Sequence, residues 1–321
     1  MNTGDRNLSK VVVVTGPTAA GKTEFGINLA KMINGEIVSV DSMQIYKYMD
    51  IGTAKPSVEE MQGIRHHMID VVPPWENYSV ARYVEDASRC IDDITVRNKI
   101  PVLVGGTGLY TDSLLKGCYF SAIGNNELRS HYETQYDIIG GESMLNKLRV
   151  FDEDSAVRLH SNDKKRIVRA FEVYNITGKS ISQHNRETKN LPERYDTVKF
   201  SLMFSDRALL YDKIDRRVDD MISNGLENEV HSLLKMGVNR ENTSMQAIGY
   251  KEFLNAIFAK TDTDNVAEII KTESRRYAKR QLTWLRRDLS IHWIYFDIKP
   301  DISEIAEKLK IEIGGNLREA K

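Results

Sequence analysis

The residues from Gly16 to Thr23 carry the clearest chemistry in the sequence. They match the pattern G-x-x-x-x-G-K-[ST] and are Gly16, Pro17, Thr18, Ala19, Ala20, Gly21, Lys22 and Thr23. Glycines let such a loop wrap around an anion, and its N–H groups and the following helix N-terminus point at phosphate oxygens. Lys22 adds a positive charge, and the Thr23 hydroxyl can ligate Mg²⁺. The loop predicts that a di- or triphosphate binds; the alternative is a glycine-rich turn without a ligand.

Two polar residues follow apolar segments that are predicted to be buried strands. Asp41 follows Glu36–Val40, and Thr107 follows Pro101–Gly106. Ligands of open α/β sheets bind at the carboxyl ends of the strands, so we expect both side chains beside the phosphate loop. For Asp41 the alternative is that its carboxylate caps the next helix.

Basic and aromatic residues alternate in the last long predicted helix, from about Asp264 to Leu289. Six basic residues between Arg275 and Arg287 are interleaved with Tyr277 and Trp284. Phosphate attraction combined with aromatic stacking surfaces suits a single-stranded RNA loop. The alternative is a solvated basic face.

Two other predicted helices carry basic residues. Lys164, Lys165, Arg166 and Arg169 share one helix, where they form either a phosphate-backbone contact or a solvated face. Arg216 and Arg217 lie on a later helix. An arginine there either reaches back to the phosphate loop, to neutralise a transferring or leaving phosphate, or is ion-paired at the surface.

The composition is that of an ordinary globular protein, with 41% hydrophobic and 28% charged residues among 321. The formal net charge of −1 excludes a general attraction to nucleic acid, so a polyanion site must be a local patch. Cys90 and Cys118 lie in no metal-like spacing, and we expect neither a disulfide scaffold nor a zinc site. The adjacent His66 and His67 are expected to be structural. With no apolar segment of membrane-spanning length and no signal-peptide core, we expect a cytoplasmic protein without a membrane partner.

Strands and helices alternate up to about residue 117, which predicts an α/β fold with a doubly wound parallel sheet. Helical segments without strands follow, at residues 126–139, 142–151, 154–160 and 163–174. The strand pattern returns near Val198. We therefore expect an α/β core formed by residues 1–117 and 197–321, and an all-helical insertion domain formed by residues 118–196.

Six segments are similar, in order, to motifs of the bacterial tRNA dimethylallyltransferase (tRNA isopentenyltransferase) family. They are Gly16–Thr23, Asp41–Tyr46, Met49–Pro56, Gly105–Tyr110, Met245–Glu252 and Tyr277–Trp284. The resemblance spans about residues 11–297 and implies a P-loop NTPase-like core with a helical insertion. The sequence departs from the family at Ala20, where Ser is frequent, and at Lys213, where Arg is common.

The resemblance also implies an activity. A dimethylallyl group would pass from dimethylallyl diphosphate to N6 of the adenosine 3′ of the anticodon, position 37, in tRNAs that read codons beginning with U. The partners would be dimethylallyl diphosphate and the tRNA anticodon stem-loop, with Mg²⁺ as the cofactor. We expect a monomer.

The resemblance assigns roles to single residues. Lys22, Arg217 and a Mg²⁺ at Thr23 would stabilise the leaving diphosphate. Asp41 would accept the amine proton or a hydrogen bond from the amine, and Thr107 would lie near the donor–acceptor junction. The loop of residues 16–23 would bind the diphosphate. The residues expected to contact tRNA are Asp41, Ser42, Met43, Gln44, Lys165, Arg166, Ile167, Val168, Arg169, Gly249, Tyr250, Arg276, Lys279, Arg280, Gln281 and Trp284.

Three other functions remain compatible with parts of the sequence. A P-loop kinase of a small nucleotide or metabolite explains the phosphate loop but not the basic, aromatic final helix. A nucleotide-gated RNA-binding protein explains that helix but gives Asp41 and Thr107 no role. Prenylation of free adenine nucleotides would not need a long basic helix. Turnover of ATP would distinguish the kinase from the transferase.

Overall fold

The computed structural model describes residues 8–117, 124–189 and 191–300, together with residues 302, 303, 305, 306 and 309. The expectations for residues 1–7 and for Cys118 concern positions outside these ranges. Strands form where runs of β-branched residues occur. In chain order they are β1 (Lys10–Thr15), β2 (Gly35–Val40), β3 (His66–His67), β4 (Ile100–Gly105), β5 (Asp196–Phe204) and β6 (Ile291–Phe296).

The described strands form one parallel sheet in the order β3-β2-β4-β1-β5-β6. Strand β1 lies in the interior of the sheet, where Val13 is in register with Leu103 of β4 and with Lys199 of β5. Its four valines, Val11–Val14, are all buried, as expected for a parallel strand covered on both faces. The α/β fold predicted from the sequence is thereby confirmed, and the carboxyl end of β1 lies between two paired neighbours.

Helices connect the strands. They are α1 (Lys22–Met32), α2 (Val58–Met61), α3 (Val80–Val96), α4 (Gly108–Lys116), α5 (Asn126–Ile139), α6 (Gly141–Arg149), α7 (Glu153–Arg158), α8 (Lys164–Thr177), α9 (Ile181–Lys189), α10 (Arg207–Ser223), α11 (Leu226–Lys235), α12 (Tyr250–Ala259) and α13 (Val266–Leu285). None of the helices in the described part of the chain is both long enough and apolar enough to span a bilayer.

The chain divides into two compact units. The first contains the described residues up to Tyr78, residues 85–111 and those from Tyr195 onward, and it includes the whole sheet. The second contains Ser79–Val84 and the described residues between Asp112 and Arg194. The sequence had predicted a helical domain of residues 118–196.

Each unit has its own apolar core. In the first, α1 packs on the sheet through Phe25, Ile27 and Leu29. In the second, α6 and α8 bring Leu148 and Phe171 into one cluster. Helix α9 was not predicted, because residues 181–189 are mostly polar.

Candidate active site

The phosphate loop connects β1 to α1 through two strained glycine positions. Gly16 has φ +144°, and a Cβ there would lie 2.7 Å from the carbonyl oxygen of Leu202. Gly21, with φ +75°, is the residue before α1. These conformations aim the unpaired N–H groups of the α1 N-terminus at the space beside the loop, where an anion is favoured.

Two basic side chains enter this space. The Lys22 ammonium donates to the Pro17 carbonyl oxygen over 2.6 Å, and Arg217 Nη2 lies 3.5 Å from the Thr53 carbonyl oxygen. Burial lowers the pKa of Lys22 to about 7, with Arg217 acting in the same direction and Asp41 opposing it. Burial likewise lowers the pKa of Arg217, against the effect of Asp41. Lys22 and Arg217 thus lie close together, and Asp41 is the carboxylate that acts on the pKa values of both, an arrangement that favours a bound polyanion.

Asp41 follows β2 and shapes a turn; it does not cap a helix. Its Oδ1 atom accepts the N–H groups of Met43 (2.8 Å) and Gln44 (3.3 Å). Among the described residues no donor bonds to Oδ2, so this oxygen is available to a ligand. The Thr107 hydroxyl accepts the Ser42 N–H over 3.2 Å and so joins the carboxyl ends of β2 and β4.

Lys22, Asp41 and Arg217 line a cavity of about 460 Å³ in the first unit, whereas Thr107 is not among its lining residues. The ionisable, hydroxyl and amide side chains on the wall include those of Lys22, Thr23, Glu24, Asp41, Gln44, Glu60, His66, Arg217, Tyr277 and Gln281. Ile27, Ile37 and Val104 form an apolar part of the same wall. The cavity therefore combines an anion-binding end, a carboxylate and an apolar surface, which suits a substrate that carries both a diphosphate and a small apolar group.

Tyr277 was predicted as a stacking surface for RNA, but it is part of the cavity wall. Burial, and the Asp41 carboxylate to a lesser degree, raise the pKa of Tyr277 to about 12. The Thr107 and Gln281 side chains have the opposite, smaller effect on this pKa.

Gln281, which was expected to contact tRNA, fastens the phosphate loop. The side chain is buried, its Oε1 accepts the Thr18 N–H over 2.8 Å, and its Nε2 donates to the Gly106 carbonyl oxygen over 2.9 Å. Gln281 also lines the cavity, so its contact with tRNA stays a prediction that concerns the cavity and not the exposed face of α13.

Other residues of α13 do reach the surface. Arg276, Lys279 and Arg280 are exposed, although Arg276 pairs with Glu273 at 2.5 Å. Arg280 lies over the Tyr277 ring, 5.7 Å from its centroid. Trp284 is 37% exposed, and the Arg287 guanidinium lies over its ring, 5.5 Å from the centroid.

In the second unit, the five predicted residues of α8 fall into two groups. Lys165 and Arg166 are exposed, and Arg169 pairs with the buried Glu172 at 2.7 Å. Ile167 and Val168 are buried, at 0% and 2% exposure. Their apolar side chains form the helical core, so the expectation that they contact tRNA is corrected.

Gly249 and Tyr250 were also expected to contact tRNA. Tyr250 is fully buried, and its hydroxyl donates to the Glu229 carboxylate. Gly249 precedes α12 with φ +97°, and its N–H donates to Glu252 over 2.7 Å. The Tyr250 side chain is thus unavailable to RNA, and the segment around it is structural.

Sequence reasoning missed the contact of Arg217 with the Thr53 carbonyl oxygen. The bond between Arg217 and the Thr53 carbonyl oxygen joins residues 164 positions apart, and local periodicity carries no information about such a contact. Only the resemblance of the Met49–Pro56 segment to a family motif indicated that this loop matters.

Comparisons with known proteins agree with this geometry. The chain matches the family model "IPP transferase" over residues 44–288 and the model "Isopentenyl transferase" over residues 9–73. It is 45% identical, over 312 residues, to a tRNA dimethylallyltransferase of Caldanaerobacter subterraneus subsp. tengcongensis, covering 96% of this chain and 99% of that protein.

Two solved structures are similar over nearly the whole chain. A full-length tRNA isopentenylpyrophosphate transferase from Bacillus halodurans has a TM-score of 0.70 at 37% identity, and the match covers 97% of both chains. A eukaryotic dimethylallyltransferase described as acting on tRNA has a TM-score of 0.78 at 31% identity, covering 98% of this chain and 80% of that one. The core is therefore P-loop-like, and the chain belongs to the IPP transferase family.

Proposed function

We propose that the chain transfers a dimethylallyl group from dimethylallyl diphosphate to N6 of adenosine 37 in tRNAs that read codons beginning with U. The observation that carries the proposal is one cavity in which the phosphate loop, two cations and the Asp41 carboxylate converge. The names of the relatives supply the substrate class, because all of those compared are tRNA dimethylallyl- or isopentenyltransferases.

On the donor side, the loop of residues 16–23 holds the diphosphate. Transfer breaks the bond between the allylic carbon and the diphosphate oxygen, so negative charge develops on the leaving group. Lys22, Arg217 and the loop N–H groups stabilise that charge from fixed positions. Because the pKa of Lys22 is about 7 in the free protein, the incoming anion raises it and holds the ammonium in its charged form.

On the acceptor side, the exocyclic amine of adenine attacks the allylic carbon. Its lone pair is delocalised into the ring, so catalysis depends largely on placing N6 in line with the breaking bond. The new bond joins N6 to the allylic carbon, and one N6 proton passes to Asp41. The oxygen Oδ2 is suited to this role, because both backbone N–H groups occupy Oδ1.

Mg²⁺ fits the donor set of the cavity. Thr23 offers a hydroxyl oxygen there, and the described residues contain no cluster of three or more His, Cys, Asp or Glu side chains that would form a closed metal site. Mg²⁺ prefers this situation, with few protein ligands and the remaining positions taken by phosphate oxygens and water. Bound near Thr23, it would supply positive charge to the leaving diphosphate.

The RNA would be held by the basic surfaces of both units. In the first unit these are Arg276, Lys279, Arg280 and Trp284 of α13, which offer phosphate attraction and one stacking ring. In the second unit they are Lys165 and Arg166 of α8. An unpaired base in an anticodon loop leaves its stack at a lower cost than one in a duplex, so an enclosed donor can be reached.

The deciding experiment incubates the purified chain with Mg²⁺, dimethylallyl diphosphate and unmodified tRNA with adjacent adenines in the anticodon loop. Mass spectrometry of the digested RNA should find an adenosine heavier by one isoprene unit. Asp41→Ala should lower turnover by about 10² or more while tRNA binding is retained. Asp297→Ala is the matched control, because Asp297 follows β6 as Asp41 follows β2 but lies outside the cavity.

Two results would contradict the proposal. Near-normal turnover of Asp41→Ala would remove Asp41 from the chemistry. ATP turnover without a prenylated product would replace the transferase with a kinase.

We also propose that the chain acts as a cytoplasmic monomer. Light scattering after size-exclusion chromatography should then give a mass near 36.7 kDa. A mass of twice that value would contradict the monomer.

A further inference from the structure

The Glu229 carboxylate, on α11, accepts hydrogen bonds from a turn that is distant in the sequence. Its Oε2 atom accepts the N–H groups of Asp50 (3.0 Å) and Ile51 (2.9 Å), and its Oε1 atom is 3.4 Å from the N–H of Gly52. A carboxylate that accepts several backbone N–H groups forms charge-assisted bonds, about twice as strong as neutral ones. One side chain thus fixes three successive backbone positions.

Tyr250, on α12, holds the same turn together with Glu229. Its hydroxyl donates to Glu229 and accepts the Gly52 N–H over 3.1 Å. The ring packs so closely on Gly52 that a Cβ there would lie 2.4 Å from Tyr250 Cε2. The turn is therefore held both by hydrogen bonds and by contact.

The next residue, Thr53, connects this turn to Arg217, which lines the cavity. Its side chain is buried and donates to the Met49 carbonyl oxygen over 2.6 Å, which closes the turn on itself. Its carbonyl oxygen faces Arg217 Nη2 at 3.5 Å and Gln44 Nε2 at 3.3 Å. Among the described residues this carbonyl is the hydrogen-bond partner of the Arg217 guanidinium.

We propose that Glu229 is a positioning residue for the diphosphate site. Through the turn Asp50–Gly52 it fixes the Thr53 carbonyl oxygen, which orients the Arg217 guanidinium toward the phosphate loop. The segment Met49–Pro56 contains this turn, and Met245–Glu252 supplies Tyr250, which helps to hold it. Two segments that lie far apart in the sequence thereby position the same guanidinium. The inference rests on the proposed function for one point, which is that the bound anion is the diphosphate of the donor.

The test measures binding of inorganic diphosphate with Mg²⁺ by calorimetry, which does not require transfer. Glu229→Ala should weaken binding about tenfold, and Glu229→Gln, which keeps one acceptor oxygen, about threefold. Glu227→Gln on the same helix is the matched control and should leave the affinity unchanged. Should Glu229→Ala fail to fold, Tyr250→Phe keeps the ring and removes the hydroxyl, with an expected weakening of about threefold.

A double-mutant cycle separates positioning from general destabilisation. If Glu229 acts through Arg217, adding Glu229→Ala to Arg217→Ala should weaken diphosphate binding no further. Independent, multiplicative losses would overturn the proposal, as would a Glu229→Ala affinity within twofold of the wild type. A wild-type chain that binds diphosphate but forms no prenylated tRNA would refute the proposed function alone.

Discussion

Replacing Gln281 with methionine, which has a similar length but no amide, tests whether α13 fastens the phosphate loop. The amide accepts from Thr18 N–H at 2.8 Å and donates to the Gly106 carbonyl at 2.9 Å, and the residue is only 7% exposed. Each neutral hydrogen bond contributes about 1 kcal/mol, and unpaired buried partners add to the cost. We therefore expect the free energy of unfolding to fall by about 2–3 kcal/mol.

Urea unfolding measures this change, and Gly106→Ala provides an independent route to the same amide. A Cβ at Gly106 would lie 2.2 Å from Gln281 Nε2, so this variant should displace the side chain and cost a similar amount. The double variant should then be only about 0.5 kcal/mol worse than either single one. Gln183→Met, on the exposed side of α9, is the control and should change stability by less than about 0.5 kcal/mol. Additive losses of stability in the double variant would contradict the inference that Gln281 links α13 to the phosphate loop. So would a free energy of unfolding for Gln281→Met equal to that of the wild type.

Four further predictions concern charge. Arg97 holds the pKa of the buried Glu36 well below its usual range. Glu36→Gln should therefore lower the free energy of unfolding in urea by about 3 kcal/mol at pH 7. This difference from the wild type should shrink as the pH falls below about 4. Asp137→Asn, which breaks an exposed ion pair, should cost less than about 1 kcal/mol. Since the pKa of Lys22 is about 7 in the free protein, diphosphate affinity should fall as the pH rises above 7. Calorimetry at pH 8 should detect proton uptake on diphosphate binding, and Lys22→Arg should abolish this uptake. Arg280→Ala should weaken tRNA binding and reduce its salt slope by about 1; an unchanged slope would make this arginine structural.

Elements with local signals could be predicted from the sequence. Helix α5 coincides with the predicted residues 126–139, because the Asn125 side chain caps its first turn and Gly140 ends it. Helix α9 lacked an apolar stripe and was missed. Helix α11 did carry such a stripe, at Leu226, Val230 and Leu233, and this periodicity would have been a usable signal.

The site could be predicted only in part, for a physical reason. Lys22 and Asp41 follow strands, and parallel strands bring their carboxyl ends to one edge, so their convergence in one cavity follows from sheet geometry. Tyr250 and Gln281 lie on helices whose packing partners are set by the tertiary fold. Gln281 is 263 residues from Thr18 in the sequence, and no local pattern distinguishes such a buried amide from one that faces RNA.

The pairing of β1 with β5 has a consequence for synthesis of the chain. Lys10 is in register with Asp196, and Thr15 with Ser201, so β1 cannot pair with β5 until 186 more residues have been synthesised. At about 5–20 residues per second, synthesis of that segment takes roughly 10–40 s. Four apolar side chains of β1 lack one of their two neighbouring strands during this time, while the helical residues up to Arg194 are already complete. A nascent chain that stops before β5 therefore has the phosphate-loop sequence without the strand against which Gly16 packs.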